Sequence, residues 1–220
     1  MKKITLLFTM LFVLAFTGWG QIIISQYYEG TSFNKWIEIT NVGTSTVDLT
    51  NPQLFLCAYN NAAADDPANN PPYADYTLTG TLDPGQVLLF KHSSAILPSY
   101  AIGINTGIYV CSFNGDDLLI ISTDNIGADA WAERIDVIGN GDMWGADKSF
   151  YRNANIVSTN VTYTPSEWTQ VTITAVDNAT SDLSEYLGTH LYSTGSNSNP
   201  VITNIGTSPM FPLGTETVNV

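Results

Sequence analysis

An all-β fold, an antiparallel sandwich or barrel, is what this sequence predicts, and three observations carry it. Apolar and polar residues alternate over short runs bounded by Gly, Pro, Asn and Asp, the pattern of half-buried strands. No long segment repeats its apolar residues with a 3.6-residue period. Charged residues make up only 12 % of the 220-residue chain against 44 % hydrophobic ones. That balance suits strands joined by polar turns better than charged amphipathic helices.

Residues 1–20 stand apart from the fold. Lys2 and Lys3 precede an uncharged apolar run over 4–16, and Gly18-Trp19-Gly20 supplies small residues ahead of a cut before Gln21. This is the layout of a signal peptide. The apolar run is shorter than the roughly twenty residues a transmembrane helix needs. The expectation is export to the periplasm, cell surface or extracellular space, with no membrane span in the mature chain.

The strands follow in order. Residues 22–28 are apolar and β-branched, ending at Glu29-Gly30. Over 35–41, Trp36, Glu38 and Thr40 share one face and Ile37 and Ile39 the other, so a half-buried strand is expected. Residues 42–45 turn the chain, Val47 and Leu49 begin a further run, and Asn51-Pro52 interrupts it before 54–59. A long polar loop over 60–72 leads to a strand at 73–78. Leu82-Asp83-Pro84-Gly85 is a turn, in which Pro presets its φ and Gly accepts a positive one, and it feeds 86–91. Residues 108–113 and 118–122 read as strands on either side of an Asn114-Gly115-Asp116-Asp117 hairpin turn. Alternation over 131–138 and a short run at 148–152 complete eight or nine strands. The domain is expected to end at 190. Residues 191–200 have linker composition, and 201–220 read as the start of a second β-sandwich module, too short to complete itself, so a longer chain is expected.

The formal charge is −13, from seven basic and 20 acidic side chains, and becomes −15 once Lys2 and Lys3 leave with the leader. Such a chain repels nucleic-acid phosphates and anionic membranes. Cys57 and Cys111 each sit in strand-like runs beside aromatics. Two readings stand: a disulfide in an oxidising compartment, or two buried small apolar residues.

Four motif sets carry a resemblance. The first is Glu29, Trp36-Ile37-Glu38-Ile39, Asn41, Gly43 and Asp48-Leu49; the second is Leu82-Asp83-Pro84-Gly85 before 87–90. The third is Asn114-Gly115-Asp116 before 118–121. The fourth comprises Ile135-Asp136-Val137-Ile138-Gly139, Trp144-Gly145, Arg152, Glu167-Trp168 and Leu187-Gly188-Thr189-His190. In this order the chain resembles the lamin tail domain family in its bacterial secreted form, over 22–190. It departs from that pattern at Ser149-Phe150-Tyr151, where many relatives carry Thr-Leu ahead of the arginine. The resemblance implies an immunoglobulin-like antiparallel β-sandwich. It implies Trp36, Ile37 and Ile39 clamping the sheet from both faces, Asn41 and Gly43 turning the chain, and Glu29 and Glu38 as turn or edge hydrogen-bond acceptors.

Catalytic machinery is hard to assemble from what remains. The imidazoles are His92, read as a strand-end surface residue, and His190, read as a cap on the domain, and no G-x-S-x-G elbow accompanies them. Zinc lacks C-x-x-C or H-E-x-x-H spacing. Asp65-Asp66 and Asp116-Asp117 read as solvated loop acids in place of a glycosidase pair. The 140–151 segment starts like an EF-hand loop, but Tyr151 stands where a bidentate Glu is needed. The calcium candidates are therefore looser: Asp65, Asp66 and Asp75, or Asp124 and Asp129. Tyr27, Tyr28, Tyr73, Tyr76, Trp131, Trp144 and Trp168 are candidates for a sugar- or protein-binding face, with core packing the commoner role. No catalytic, cofactor or metal residue is assigned. The expected function is a non-catalytic module for adhesion, targeting or scaffolding within a larger surface or secreted protein, with a protein or cell-surface glycan partner. The alternatives are a carbohydrate-binding module and an accessory domain of a secreted hydrolase or nuclease.

Overall fold

The computed structural model describes residues 21–193, which contain twelve strands, three short α-helices and one 3-10 turn at Pro165–Glu167. In chain order the strands are β1 (Ile22–Glu29), β2 (Lys35–Asn41), β3 (Val47–Asp48), β4 (Phe55–Tyr59), β5 (Ala74–Thr77), β6 (Thr81–Leu82), β7 (Val87–Lys91), β8 (Ile104–Asn105), β9 (Leu118–Ser122), β10 (Arg134–Ile138), β11 (Ser149–Arg152) and β12 (Trp168–Val171). The helices are α1 (Ala62–Asp65), α2 (Asp129–Ala132) and α3 (Ile173–Asp177). The expectations for the leader, for most of the linker and for the second module fall outside these residues.

Two sheets pack face to face. One has the order β12-β11-β1-β2-β7-β8, the other β10-β9-β4-β5, and β3 pairs β6 as a separate ribbon. Every pairing is antiparallel except β7 with β8. The core between the sheets takes Ile22, Ile24, Tyr27, Ile37 and Ile39 from one side and Leu56, Ala58, Leu119, Ile121 and Ile138 from the other. A bulge between Ile24 and Gln26 sets the phase of β1. It carries Ile24 and Tyr27 inward although they are three residues apart, and sends Tyr28 outward. A bulge inserts one residue without breaking the ladder, which is what a strand needs when its apolar period slips.

Ile24 at this bulge donates its backbone N–H to Asp136 Oδ2 on the facing sheet (2.8 Å). Arg152 on β11 completes the site, 3.1 Å from Asp136 Oδ2 and 2.6 Å from Glu167 Oε2. Asn160 donates its backbone N–H to Asp136 Oδ1 (2.8 Å) and its side-chain amide to Glu167 Oε1 (2.8 Å). The Trp168 ring lies over the guanidinium. Burial raises the Asp136 carboxyl to about 6 against the pull of Arg152 and the two N–H groups.

Both outer faces are covered. On the larger sheet, Tyr28, Trp36 and Leu89 pack under Val176 of α3 and Leu187. On the smaller one, Cys57, Tyr59, Leu118, Ile120 and Val137 pack under Ala64 of α1, with Trp131 of α2 against them. The face assignment over 35–41 holds: Trp36 lies outside, Ile37 and Ile39 inside. The expected half-burial does not, because all seven residues of β2 are buried beneath this cover. Asn41 closes the following turn, accepting from Gly43 N (2.9 Å) and donating to Ser45 O and Leu82 O.

Two expectations are corrected. Residues 108–113 form turns, with Ser112 N donating to Tyr109 O, so Asn114-Gly115 does not close a hairpin. The position beside β7 is held by β8, and Val110, Cys111 and Phe113 bury their side chains from a loop. Gly115, at φ +99°, instead packs against the Ala146 backbone and accepts from Trp144 N and Gly145 N. The strand read over 131–138 begins only at Arg134, because Trp131 and Ala132 belong to α2. Both cysteines are free thiols, Cys57 on the outer face of the smaller sheet and Cys111 in the inter-sheet core. Their burial fits the second of the two readings.

Removing the Asp136 carboxylate should strand Arg152 and two backbone N–H groups in the interior. Asp136→Ala is expected to cost about 3–5 kcal/mol, read as a lower urea midpoint at unchanged m-value. Burial pushes the Cys57 thiol well up and that of Cys111 to about 12. At pH 8 neither should alkylate in the folded protein, and both should alkylate after denaturation without reductant. Failure of the second reaction would reveal a disulfide.

Candidate functional site

Glu38 stands at the centre of the larger sheet's outer face, with no cation beside it among the described residues. The side chain is 0 % exposed. Its Oε1 accepts from Ser25 Oγ (2.6 Å), which itself accepts from Thr40 Oγ1 (2.7 Å), and its Oε2 accepts from Gly188 N (2.7 Å). The carboxyl is raised to about 7 by burial, against these two hydrogen bonds. Glu38 therefore holds the 187–190 segment onto the sheet. Tyr28 Oη to Asp177 Oδ1, Gln26 Nε2 to Glu185 O and Tyr100 Oη to Val176 O hold the neighbouring stretches. Glu38 is an acceptor as expected, though on a central strand and not at an edge. Glu29 accepts from Tyr27 Oη (2.7 Å) and Lys35 Nζ (2.6 Å), a buried pair at the end of β1.

The histidines occupy separate places. His92 is buried, correcting the surface reading: its ring stacks on Phe33 and its Nδ1 accepts from Ser94 N. Burial, then Lys35, hold its pKa below the ordinary imidazole value. His190 is buried beside Tyr192, its Nε2 without a partner, and burial, then Arg152, bring it down to about 3. Neither ring is hydrogen-bonded to a nucleophile. The calcium candidates do not converge: among the described residues no group of three or more His, Cys, Asp or Glu side chains could hold a metal ion. Asp66 accepts from Asn69, Asp75 from Asn125, and Asp124 from Ile126 N.

Of the aromatic candidates, Tyr27, Tyr28 and Trp168 are core residues, while Tyr76, Trp131 and Trp144 are partly buried against the clusters. Tyr73 alone is open, at 51 % exposure, and Tyr109 joins it at 55 %. The two line a cleft of about 90 Å³ at one end of the smaller sheet. The end of β4 and Asn60-Asn61 form one wall, and Ser112 to Asn114 another. Asp117 braces it: Oδ1 accepts from Asn61 N (3.3 Å), Oδ2 from Asn114 N (2.8 Å), and its carbonyl from Trp144 Nε1 (2.9 Å). Burial raises this carboxyl to about 6 against those N–H bonds. The lining holds hydroxyls, amides and aromatic faces, with no His, Cys, Lys or Arg. Such a site can bind and orient a ligand, but it offers no activated nucleophile. Tyr109 escaped the sequence reading because it shares an alternating run with Cys111; Gly107 before it, at φ +77°, was the available sign of a turn.

The chain is an all-β sandwich with both outer faces covered and an amphipathic cleft at one end. Searches against models of known protein families, curated proteins and solved structures returned no match.

The folded state holds the Glu38 proton up to about pH 7, the unfolded chain only to about 4.3. This group's stabilisation is therefore complete below the unfolded value and lost as pH rises to neutrality. Glu38→Gln should remove that dependence. The stability difference, wild type minus variant, is expected to fall by about 3 kcal/mol between pH 4 and pH 8, measured by urea denaturation at each pH. A difference that stays flat would mean Glu38 keeps an ordinary carboxyl.

Proposed function

We propose that this chain is an exported, non-catalytic binding module of the lamin tail type, serving adhesion, targeting or scaffolding within a larger surface or secreted protein. One observation supports this most: the residues of the four motif sets are bonded to one another. Glu38 of the first set accepts from Gly188 of the fourth. Asn41 of the first donates to Leu82 of the second. Gly115 of the third accepts from Trp144 and Gly145 of the fourth, and Asp136, Arg152 and Glu167 of the fourth join among themselves. Side chains consumed in a frame are not free for turnover, so the motifs define a scaffold, and recognition falls to the loops. The buried, separated histidines point the same way.

The test uses the chain from Gln21 to Val220. It is expected to show no turnover of ester, glycan or nucleic-acid substrates and to bind saturably to the surface of the cells that produce it. The exported protein should begin at Gln21 by N-terminal sequencing. Turnover abolished by His190→Ala or His92→Ala would replace this reading with an enzymatic one.

A further inference from the structure

We propose that the Tyr73–Tyr109 cleft is a subsite for a neutral saccharide, a single pyranose ring lying against the two tyrosines. This rests on the reading of the chain as a binding module and names the ligand class for it. Tyrosine usually buries its ring and wets only its hydroxyl. Here two tyrosines on separate loops leave about half of their surface open at the mouth of one cleft. A pyranose has the matching character, an apolar C–H face ringed by hydroxyls. The hydroxyls require side chains that both donate and accept, and the amides of Asn60 and Asn61 at the cleft provide them.

Charge narrows the class further. No Lys, Arg or His lines the cleft, and the whole chain carries −13. A phosphate, sulfate or uronate ligand would meet repulsion with no countercharge. A quaternary cation is also poorly served. Asp117 is the carboxylate in the lining, and both of its oxygens already accept backbone N–H bonds. The volume of about 90 Å³ is well short of the roughly 300 Å³ at which sites for drug-sized ligands begin. One ring, half-seated, is the occupant that fits.

The cleft is also built in advance. Asp117 ties the 60–61 and 114–117 loops together from below, and Tyr73 N donates to Ala58 O (2.7 Å), fixing the start of β5 to the end of β4. Asn61 is held at φ +48°, ψ −128°, a conformation non-glycine residues rarely adopt. A wall fixed before binding loses little conformational freedom when the ligand arrives.

The experiment titrates the Gln21-to-Val220 chain with cellohexaose, xylohexaose, laminarihexaose and mannohexaose. Choline and a hexauronate serve as charged comparisons, with saturation-transfer NMR and calorimetry as readouts. At least one neutral oligosaccharide is expected to bind. Tyr73→Ala and Tyr109→Ala should each weaken it about tenfold, equivalent to about 1.4 kcal/mol. Phe33→Ala, which removes an exposed ring elsewhere, should leave it unchanged. Unchanged melting temperatures would show that both tyrosine variants fold. The proposal is overturned if no neutral oligosaccharide binds, if only choline or the uronate binds, or if both tyrosine variants bind like wild type. Cell-surface binding that persists in the Tyr73→Ala/Tyr109→Ala double variant would sink the cleft while leaving the module reading in place. Release of new reducing ends would sink the module reading itself.

Discussion

The fold depends on how one backbone N–H is satisfied. The bulge in β1 brings Ile24 and Tyr27 to the same face of the sheet, and Ile24 gives its N–H to Asp136 across the core. A carboxylate brought into an apolar interior needs a cation and further donors, since an unpaired buried charge is far costlier than the bond it makes. Arg152 on the neighbouring β11 supplies the cation, and its second nitrogen reaches Glu167. Asn160 bridges the two acids. Each residue in the series satisfies the one before it, so the distance between sheets and the path of 152–168 are set together. Such a network specifies one arrangement even where a purely apolar core would be as stable.

Glu38 presents the contrasting case. It is as buried as Asp136 but has hydrogen-bond donors and no cation, and its carboxyl is raised to about 7 where that of Asp136 reaches about 6. Arg152 opposes burial at the Asp136 carboxyl and has no counterpart at Glu38, where hydrogen bonds alone oppose it. The two acids also do different jobs. Asp136 joins sheet to sheet; Glu38 joins the sheet to the segment that covers it. Without Leu187 and Val176 above them, Trp36, Tyr28 and Leu89 would form an exposed apolar face.

Much of this was legible in the sequence, for identifiable reasons. Strict alternation over 35–41 assigned Trp36 and the two isoleucines to their correct faces because the side-chain period of a strand is fixed. The same alternation misled at 108–113, where apolar residues reach the core from turns and the neighbouring strand position is already filled. Periodicity reports which residues want burial, not whether their backbone has a ladder to join. Half-burial of β2 was expected because Glu38 and Thr40 are polar, and nothing local to that strand announces that residues 150 positions later will cover it. For the same reason His92 read as a surface residue, although a ring stack with Phe33 accompanies its burial. The cleft was half legible: Tyr73 lies in an evident loop boundary, whereas Tyr109 looked like one of a strand's buried aromatics.

The division between frame and loops follows from these bonds. Residues that recur in the motif sets are occupied with one another, in the centre of the sheets or at the joints between segments. Changing Glu38, Asn41, Asp136 or Arg152 leaves a buried donor or acceptor unpaired, so this part of the frame tolerates little variation. Tyr73, Asn61 and Tyr109 are under a different constraint. Their side chains face solvent at a rim whose geometry Asp117 holds through backbone N–H groups, which remain when the side chains are exchanged. The rim side chains can therefore be exchanged without disturbing the sandwich. That separation is what would allow one β-sandwich to carry many binding specificities, and the binding role proposed for this chain falls where its core residues do not reach.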